Sequence, residues 1–149
     1  KEGYFEYLAN KIYQPSYLSC EYVMSKYGLL TEAVYGLTSV TTKKTKVFDN
    51  QLGKFTYYSL TPRLFFGFEI RKLATADILI SKKPKAVFDF LYLRFLKKTV
   101  ISEKAITELR INWENLSEKE FAEIKKYGKL CKNNKINTVI NLIGKKYYD

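Results

Sequence analysis

The apolar positions change period twice along the chain. Tyr4, Phe5 and Leu8 predict a short helix from Tyr4 to Lys11. Pro15–Ser16–Tyr17–Leu18–Ser19 then offers two hydroxyl caps ahead of a second helical run, in which Cys20, Val23, Met24 and Tyr27 recur at helical spacing. Gly28 stands where a glycine that reverses the chain after a helix belongs. From Ala33 to Thr42 the Val, Tyr, Leu and Thr content predicts a strand. Lys46–Phe48 and Phe55–Leu60 flank Asp49, Asn50 and Gly53, and so predict a hairpin with a rather long loop. Beyond Thr61–Pro62, Phe66, Phe68 and Ile70 alternate with Gly67, Glu69 and Arg71, the signature of a half-buried strand, and Ile78–Ile80 adds a short one.

At Ser81–Lys82–Lys83–Pro84 the helical period returns, and Pro84 suits a first turn because no intrahelical amide donor is needed there. The predicted helix runs toward Lys98. Val87, Phe88, Phe90, Leu91, Leu93, Phe95 and Leu96 make it apolar around much of its circumference, so it should be central and covered on more than one side. Asp89 is the odd residue in it, since a carboxylate among apolar groups needs a partner; Lys85, one turn earlier, is expected to pair with it in the solvent-facing sector. Three helical pieces follow: Ser102 caps a run with Ala105, Ile106 and Leu109; Ser117 and Glu120 form a capping-box pattern before Phe121, Ile124, Gly128 and Cys131; Asn133 or Asn134 caps a run with Ile136, Val139, Ile140 and Ile143. Trp113 reads as a loop anchor, with base stacking as the alternative. The expected class is therefore α/β in the mixed α+β sense: residues 1–149 as one domain, a small mixed or antiparallel sheet over Ala33–Ile80 packed against a central helix, and a C-terminal helical cluster.

Charge adds a direction to this picture. The 149 residues are 46% hydrophobic, enough for one core, and carry a net charge of +11. Residues 51–100 hold ten basic groups against three acidic ones, whereas residues 1–50 hold six against five and residues 101–149 ten against seven. Arg63, Arg71, Lys72, Lys82, Lys83 and Lys85, followed by Arg94, Lys97 and Lys98, would form a polyanion-facing surface if they converge; the alternative is a solubilising surface. The same choice applies to Lys125, Lys126, Lys129, Lys132 and Lys135 on the last helices.

The chemistry is defined mostly by exclusion. The chain has no histidine, and Cys20 and Cys131 form no CxxC pair, which removes Cys/His zinc sites, dithiol redox motifs and haem attachment. Cys20 reads as a small buried hydrophobe. No phosphate loop, dinucleotide fingerprint or nucleophile elbow occurs, and Glu21, Glu32, Asp49, Asp77 and Asp89 are too dispersed in sequence to nominate a metal pair. The expectation is no catalytic residue, no cofactor and no metal. The lack of an apolar run of ~20 residues or of a signal-peptide pattern leads to an expected cytoplasmic chain with reduced cysteines and no membrane partner. The start at Lys1 without a methionine leads to the expectation of a missing upstream segment.

Pro15–Ser16–Tyr17–Leu18–Ser19 followed by Tyr27–Gly28–Leu29 resembles the PSYLS…YGL segment of the AbiEi-like antitoxins of type IV toxin–antitoxin systems, also described as predicted transcriptional regulators of viral defence systems. Lys85–Ala86–Val87–Phe88–Asp89–Phe90–Leu91–Tyr92 resembles their EKALLDLLY helix, and Leu109–Arg110 with the two closing helices is similar to the end of that domain. The matches span residues 4–145, with Pro84 where the family usually has Glu. The resemblance implies a C-terminal antitoxin domain with Pro15, Ser16, Ser19, Gly28 and Asp89 as its structural motif. It further implies an upstream winged helix–turn–helix that binds operator DNA, and a nucleotidyltransferase-like toxin, or that toxin's nucleic-acid target, as partner in abortive infection. An independent non-specific nucleic-acid-binding domain and a small enzyme are the competing readings.

Overall fold

The computed structural model describes residues 3–97 and 99–149; Lys1 and Lys98, the latter both the expected helix end and a basic candidate, lie outside the described residues. Six strands form one mixed sheet in the order β3-β4-β2-β1-β6-β5. They are β1 Ser16–Leu18, β2 Leu37–Thr41, β3 Lys46–Asn50, β4 Gly53–Ser59, β5 Phe68–Lys72 and β6 Asp77–Ser81. The β1–β2, β3–β4 and β5–β6 pairs are antiparallel, while β2–β4 and β1–β6 are parallel.

Strand β1 corrects the reading of Pro15–Ser19 as a pair of helix caps. Its three residues are all buried and pair with β2 on one side and β6 on the other, so it is a central strand. The following helix, α2 (Glu21–Lys26), is instead preceded by Cys20, with no side-chain cap bond. A three-residue strand is too short to show a period, which is why its hydroxyls read as caps. The glycine signal after α2 holds: Gly28 sits at φ 68°, and the amides of Gly28 and Leu29 donate to Ser25 O and Met24 O, the paired bonds of a Schellman turn.

The remaining strands differ from expectation in detail. The β3–β4 loop is only Gln51–Leu52, because the ladder continues to the Asn50–Gly53 pair, and Asn50 Oδ1 accepts from the Leu52 amide at 2.8 Å. Strand β5 exists, but its alternation does not follow burial: Ile70 is 61% exposed on this edge strand, and Phe66 precedes it. The next helix, α3 (Lys83–Leu96), starts beside the Phe68 end, where the Lys82 amide donates to Gly67 O at 2.9 Å; Ile70, at the middle of the β5–β6 ladder opposite Leu79, lines an open hollow with Pro15 and Phe65 instead of a helix.

Helix α1 (Tyr4–Ile12) and helix α3 lie on opposite sheet faces. Tyr57, level with Leu18 through Ser39, donates to Ala9 O of α1, whereas Tyr17, one residue earlier and so on the other face, reaches Asp89 of α3. Ala86 to Tyr92 of α3 are all buried, so this is the central helix; its exposed end includes Leu96, at 42%. Behind it stand α4 (Glu103–Thr107), a 3-10 turn Trp113–Asn115, α5 (Glu118–Cys131) and α6 (Asn134–Tyr147). Ser102, the reciprocal Ser117–Glu120 box and Asn133 cap these helices as their local patterns predict. Trp113 is buried, with its ring beside Tyr147 and Tyr148. At Gly128 a Cβ would fall 2.7 Å from Asn137 Oδ1 and 2.8 Å from Ile140 Cδ1, so glycine sets the close approach of α5 and α6.

The two α3 phenylalanines should separate in a stability measurement. Phe88 is fully buried, whereas Phe90 is 7% exposed and borders two hollows. Phe88→Ala is expected to cost about 3–5 kcal/mol in urea denaturation, and Phe90→Ala about 1 kcal/mol less, since its site is already open on one side.

Candidate functional site

The buried polar centre of the protein is the pair Lys85–Asp89, one helical turn apart on α3 and both without solvent exposure. Lys85 Nζ donates to Asp89 Oδ1 at 2.7 Å, to Tyr17 Oη at 2.8 Å and to Leu64 O at 2.8 Å, which uses all three ammonium protons. Asp89 Oδ2 accepts from Tyr17 Oη at 2.9 Å and Ser19 Oγ at 2.8 Å. Burial pushes the Asp89 carboxyl above its ordinary value, against the downward pull of Lys85, Ser19 and Tyr17. Burial, then the Asp89 charge, likewise raises the Tyr17 phenol. The expected pairing is therefore present, but not in a solvent-facing sector. Lys85 is withdrawn from the candidate basic surface, because Gly67 lets its stem pass inward and the rings of Tyr17, Phe66 and Phe88 enclose its ammonium.

The other basic candidates are not gathered into one patch. Arg63 donates to Leu130 O at 3.2 Å and Cys131 O at 2.8 Å, closing the C-terminal end of α5, where a positive charge is favoured. Arg71 lies 4.0 Å from Glu69, and Lys83 pairs with Glu120 at 3.1 Å beneath the ring of Tyr27. Lys72 and Lys82 are exposed at opposite ends of the β5–β6 hairpin, since Lys72 pairs with Asp77 and Lys82 follows the Phe68–Ser81 pair; four strand residues separate these ends, ~13 Å. Of the motif residues, Pro15 and Ser16 lead into β1, Ser19 bonds to Asp89, and the Gly28 carbonyl accepts from Asn112 and Asn115. Ser16 Oγ is buried without a hydrogen-bond partner.

A groove next to this centre was not anticipated. Its larger hollow, about 540 Å³, lies between α2, the end of β4 and the second half of α3, with Cys20, Glu21, Tyr58, Phe90, Arg94 and Lys97 among its walls. A smaller hollow of about 210 Å³ shares Glu21, Phe90 and Arg94 and extends to Arg110. The chain enters α2 through Cys20 at φ 62° and ψ −139°, a conformation costly for a residue with a side chain, and Arg110 on the far wall has φ 53°. Glu21 Oε1 is buried and has no hydrogen-bond partner. Burial, then the Glu21 charge, and also a hydrogen bond to the Glu21 carboxylate raise the neighbouring Tyr58 phenol, so Oε1 is the oxygen that stays without a partner. Burial and the Asp89 charge also raise the Cys20 thiol, so it is a neutral thiol and not a ready nucleophile. Arg94 lies 5.1 Å from the centre of the Phe90 ring, and among the described residues Arg94, Lys97 and Arg110 make no ion pair. In the sequence, Arg94 and Lys97 show as a cationic run, but nothing joins them to Glu21 or Tyr58.

The groove can accept a donor at Glu21, take an apolar group against its wall, and hold an anion at its rim. Among the described residues, no group of three or more His, Cys, Asp or Glu side chains is placed to hold a metal ion, and no helix is long and apolar enough to cross a membrane. No family model, no curated protein and no solved structure matches the chain.

Two measurements test the electrostatics. Lys85→Met or Asp89→Leu alone should cost about 3–5 kcal/mol, because each leaves a buried charge unpaired, and the double variant should lose clearly less than the sum of the two in denaturant melts. For Glu120, burial pushes the carboxyl up, but the Ser117 amide and Lys83 outweigh it and hold the group below its ordinary 4.5. A lowered folded value contributes stability that is present above 4.5 and fades as pH falls through the folded value. Glu120→Gln keeps an acceptor for the cap, so it should cost at most about 1 kcal/mol at pH 7 for this partly exposed pair, and the gap should shrink as pH falls below 4.5 and through the folded value.

Proposed function

We propose that the chain is a non-catalytic interaction domain of the AbiEi-like antitoxin class, acting in the cytoplasm against a nucleotidyltransferase-like toxin. One observation carries this reading: the segments that bear the resemblance meet in space. Tyr17 and Ser19 of the first segment share one hydrogen-bond network with Lys85 and Asp89 of the second. Gly28 of the YGL segment accepts from Asn112, two residues beyond Arg110 of the third. Likeness concentrated on residues that hold one another in place is what a shared scaffold leaves behind, and the scaffold is then the part of the antitoxin that presents its surface. Operator recognition belongs in this reading to an upstream winged domain.

A second reading, a nucleic-acid-binding domain acting through charge, is favoured by the seven-charge excess of residues 51–100 and by the unpaired cations around the groove. It predicts affinity that falls by roughly three to five decades between low and moderate salt, as multiple phosphate contacts require.

Co-expression with the toxin gene adjacent to this protein's own gene separates the two. The parent domain should restore growth, and Arg71→Glu, Lys72→Glu and Lys82→Glu combined, the exposed hairpin charges left once Lys85 is set aside, should weaken that rescue at equal protein level. Equal rescue by both would take the hairpin charges out of the mechanism. Failure of the domain where a longer natural protein succeeds would place the antitoxin function outside residues 1–149.

A further inference from the structure

We infer that the Glu21–Tyr58–Arg94 groove is a binding site for a phosphorylated nucleoside, with an N–H of the base on Glu21 Oε1, the base against the apolar wall of Tyr58, Phe90, Leu93 and Leu96, and the phosphate on Arg94 and Lys97. The inference is independent of the antitoxin reading. It starts from an unmet demand: a buried acceptor with no partner is costly, and natural proteins keep such groups where something else supplies the bond. The Tyr58 phenol bonds to the Glu21 carboxylate but leaves Oε1 without a partner, and Arg94 lies over the Phe90 ring and makes no ion pair among the described residues.

The rest of the groove narrows the ligand. Its volume of about 540 Å³ is in the range of small-molecule sites. Phe90, Leu93 and Leu96 add an apolar wall to the same groove as the half-buried Glu21 and the exposed Arg94 and Lys97. Guanidinium and ammonium groups without acidic partners are suited to phosphate. A simple anion would leave Glu21 Oε1 unmet and face its charge, and a polyamine would face Arg94, Lys97 and Arg110. A ligand that combines an N–H donor, a flat apolar body and a negative charge satisfies every wall at once. The strained backbone of Cys20 is the local device that swings Glu21 over the sheet, and such strain is retained where a side chain must be placed.

The same chemistry is available from a free mononucleotide or from one nucleotide of a single strand. Titration calorimetry of the full chain with 5′-GMP, 5′-AMP, guanosine, inorganic phosphate and a five-nucleotide RNA is the test, with amide chemical shifts recorded in parallel on the unaltered protein. A nucleotide is expected to bind more tightly than guanosine or phosphate alone, with the largest shifts at Glu21, Phe90 and Arg94. Glu21→Ala should weaken nucleotide binding at least tenfold; Arg94→Ala with Lys97→Ala should reduce nucleotide affinity to that of the nucleoside. Preference for GMP or AMP over the RNA assigns the site to free nucleotides, and the reverse assigns it to a strand, both within the inference. No nucleotide binding at millimolar concentration, phosphate binding as tightly as a nucleotide, or shifts confined to the β5–β6 hairpin would overturn it.

Discussion

The ion pair of Lys85 and Asp89 is the constraint around which the other elements are arranged. A buried ammonium must place three protons and a buried carboxylate must fill its lone pairs, so each partner's position is fixed by the others. Lys85 thereby ties the start of α3 to the carbonyl of Leu64, and Asp89 ties the middle of α3 to the two hydroxyls of Tyr17 and Ser19. Strand β1 has only three residues, and these side-chain bonds hold it against the helix in addition to its ladders to β2 and β6. Gly67 is part of the same arrangement, because a Cβ there would lie 2.7 Å from Lys85 Cγ.

The groove follows from that arrangement. With Ser19 drawn to Asp89, the chain has one residue in which to leave the sheet and start α2, and Cys20 does so at a positive φ. Glu21 is then the first residue of the helix, over Tyr58 and beside the second half of α3, where its outer neighbours are cations. The polar centre is thus occupied by internal hydrogen bonds, whereas the adjoining groove holds an acceptor atom without a partner and cations without an ion pair.

Charge in this protein divides in the same manner. Lys85, Arg63 and Lys83 are spent on holding parts together: a buried carboxylate, the carbonyls that end α5, and Glu120 of the capping box that starts it. Lys72, Lys82, Arg94, Lys97 and Arg110 are exposed. A count of basic residues treats all of these alike, although Lys85 and Lys83 are offset by carboxylates and only the exposed cations without an acidic partner, Arg63 included, contribute fully to an external field that a partner feels.

Local signals carried much of the fold. The caps at Ser102, Ser117–Glu120 and Asn133 act within three residues, and the Gly28 turn within five, so they are legible in any stretch that contains them. The apolar circumference of α3 was enough to mark it as central, and the change of period at Pro84 marked where sheet gives way to helix. The misreadings share one cause. Ser16 and Ser19 read as caps because a three-residue strand has no period to show, Ile70 read as half-buried because alternation does not reveal which strand is the edge, and Lys85 read as exposed because its partners Tyr17 and Leu64 are 68 and 21 residues away. The groove was least legible of all, since Glu21, Tyr58, Arg94 and Arg110 come from four separate elements or connections. Periodicity and capping are properties of neighbouring residues, whereas burial, edge position and the meeting of distant side chains arise only when the sheet order and the packing of α2 and α3 on one face are set.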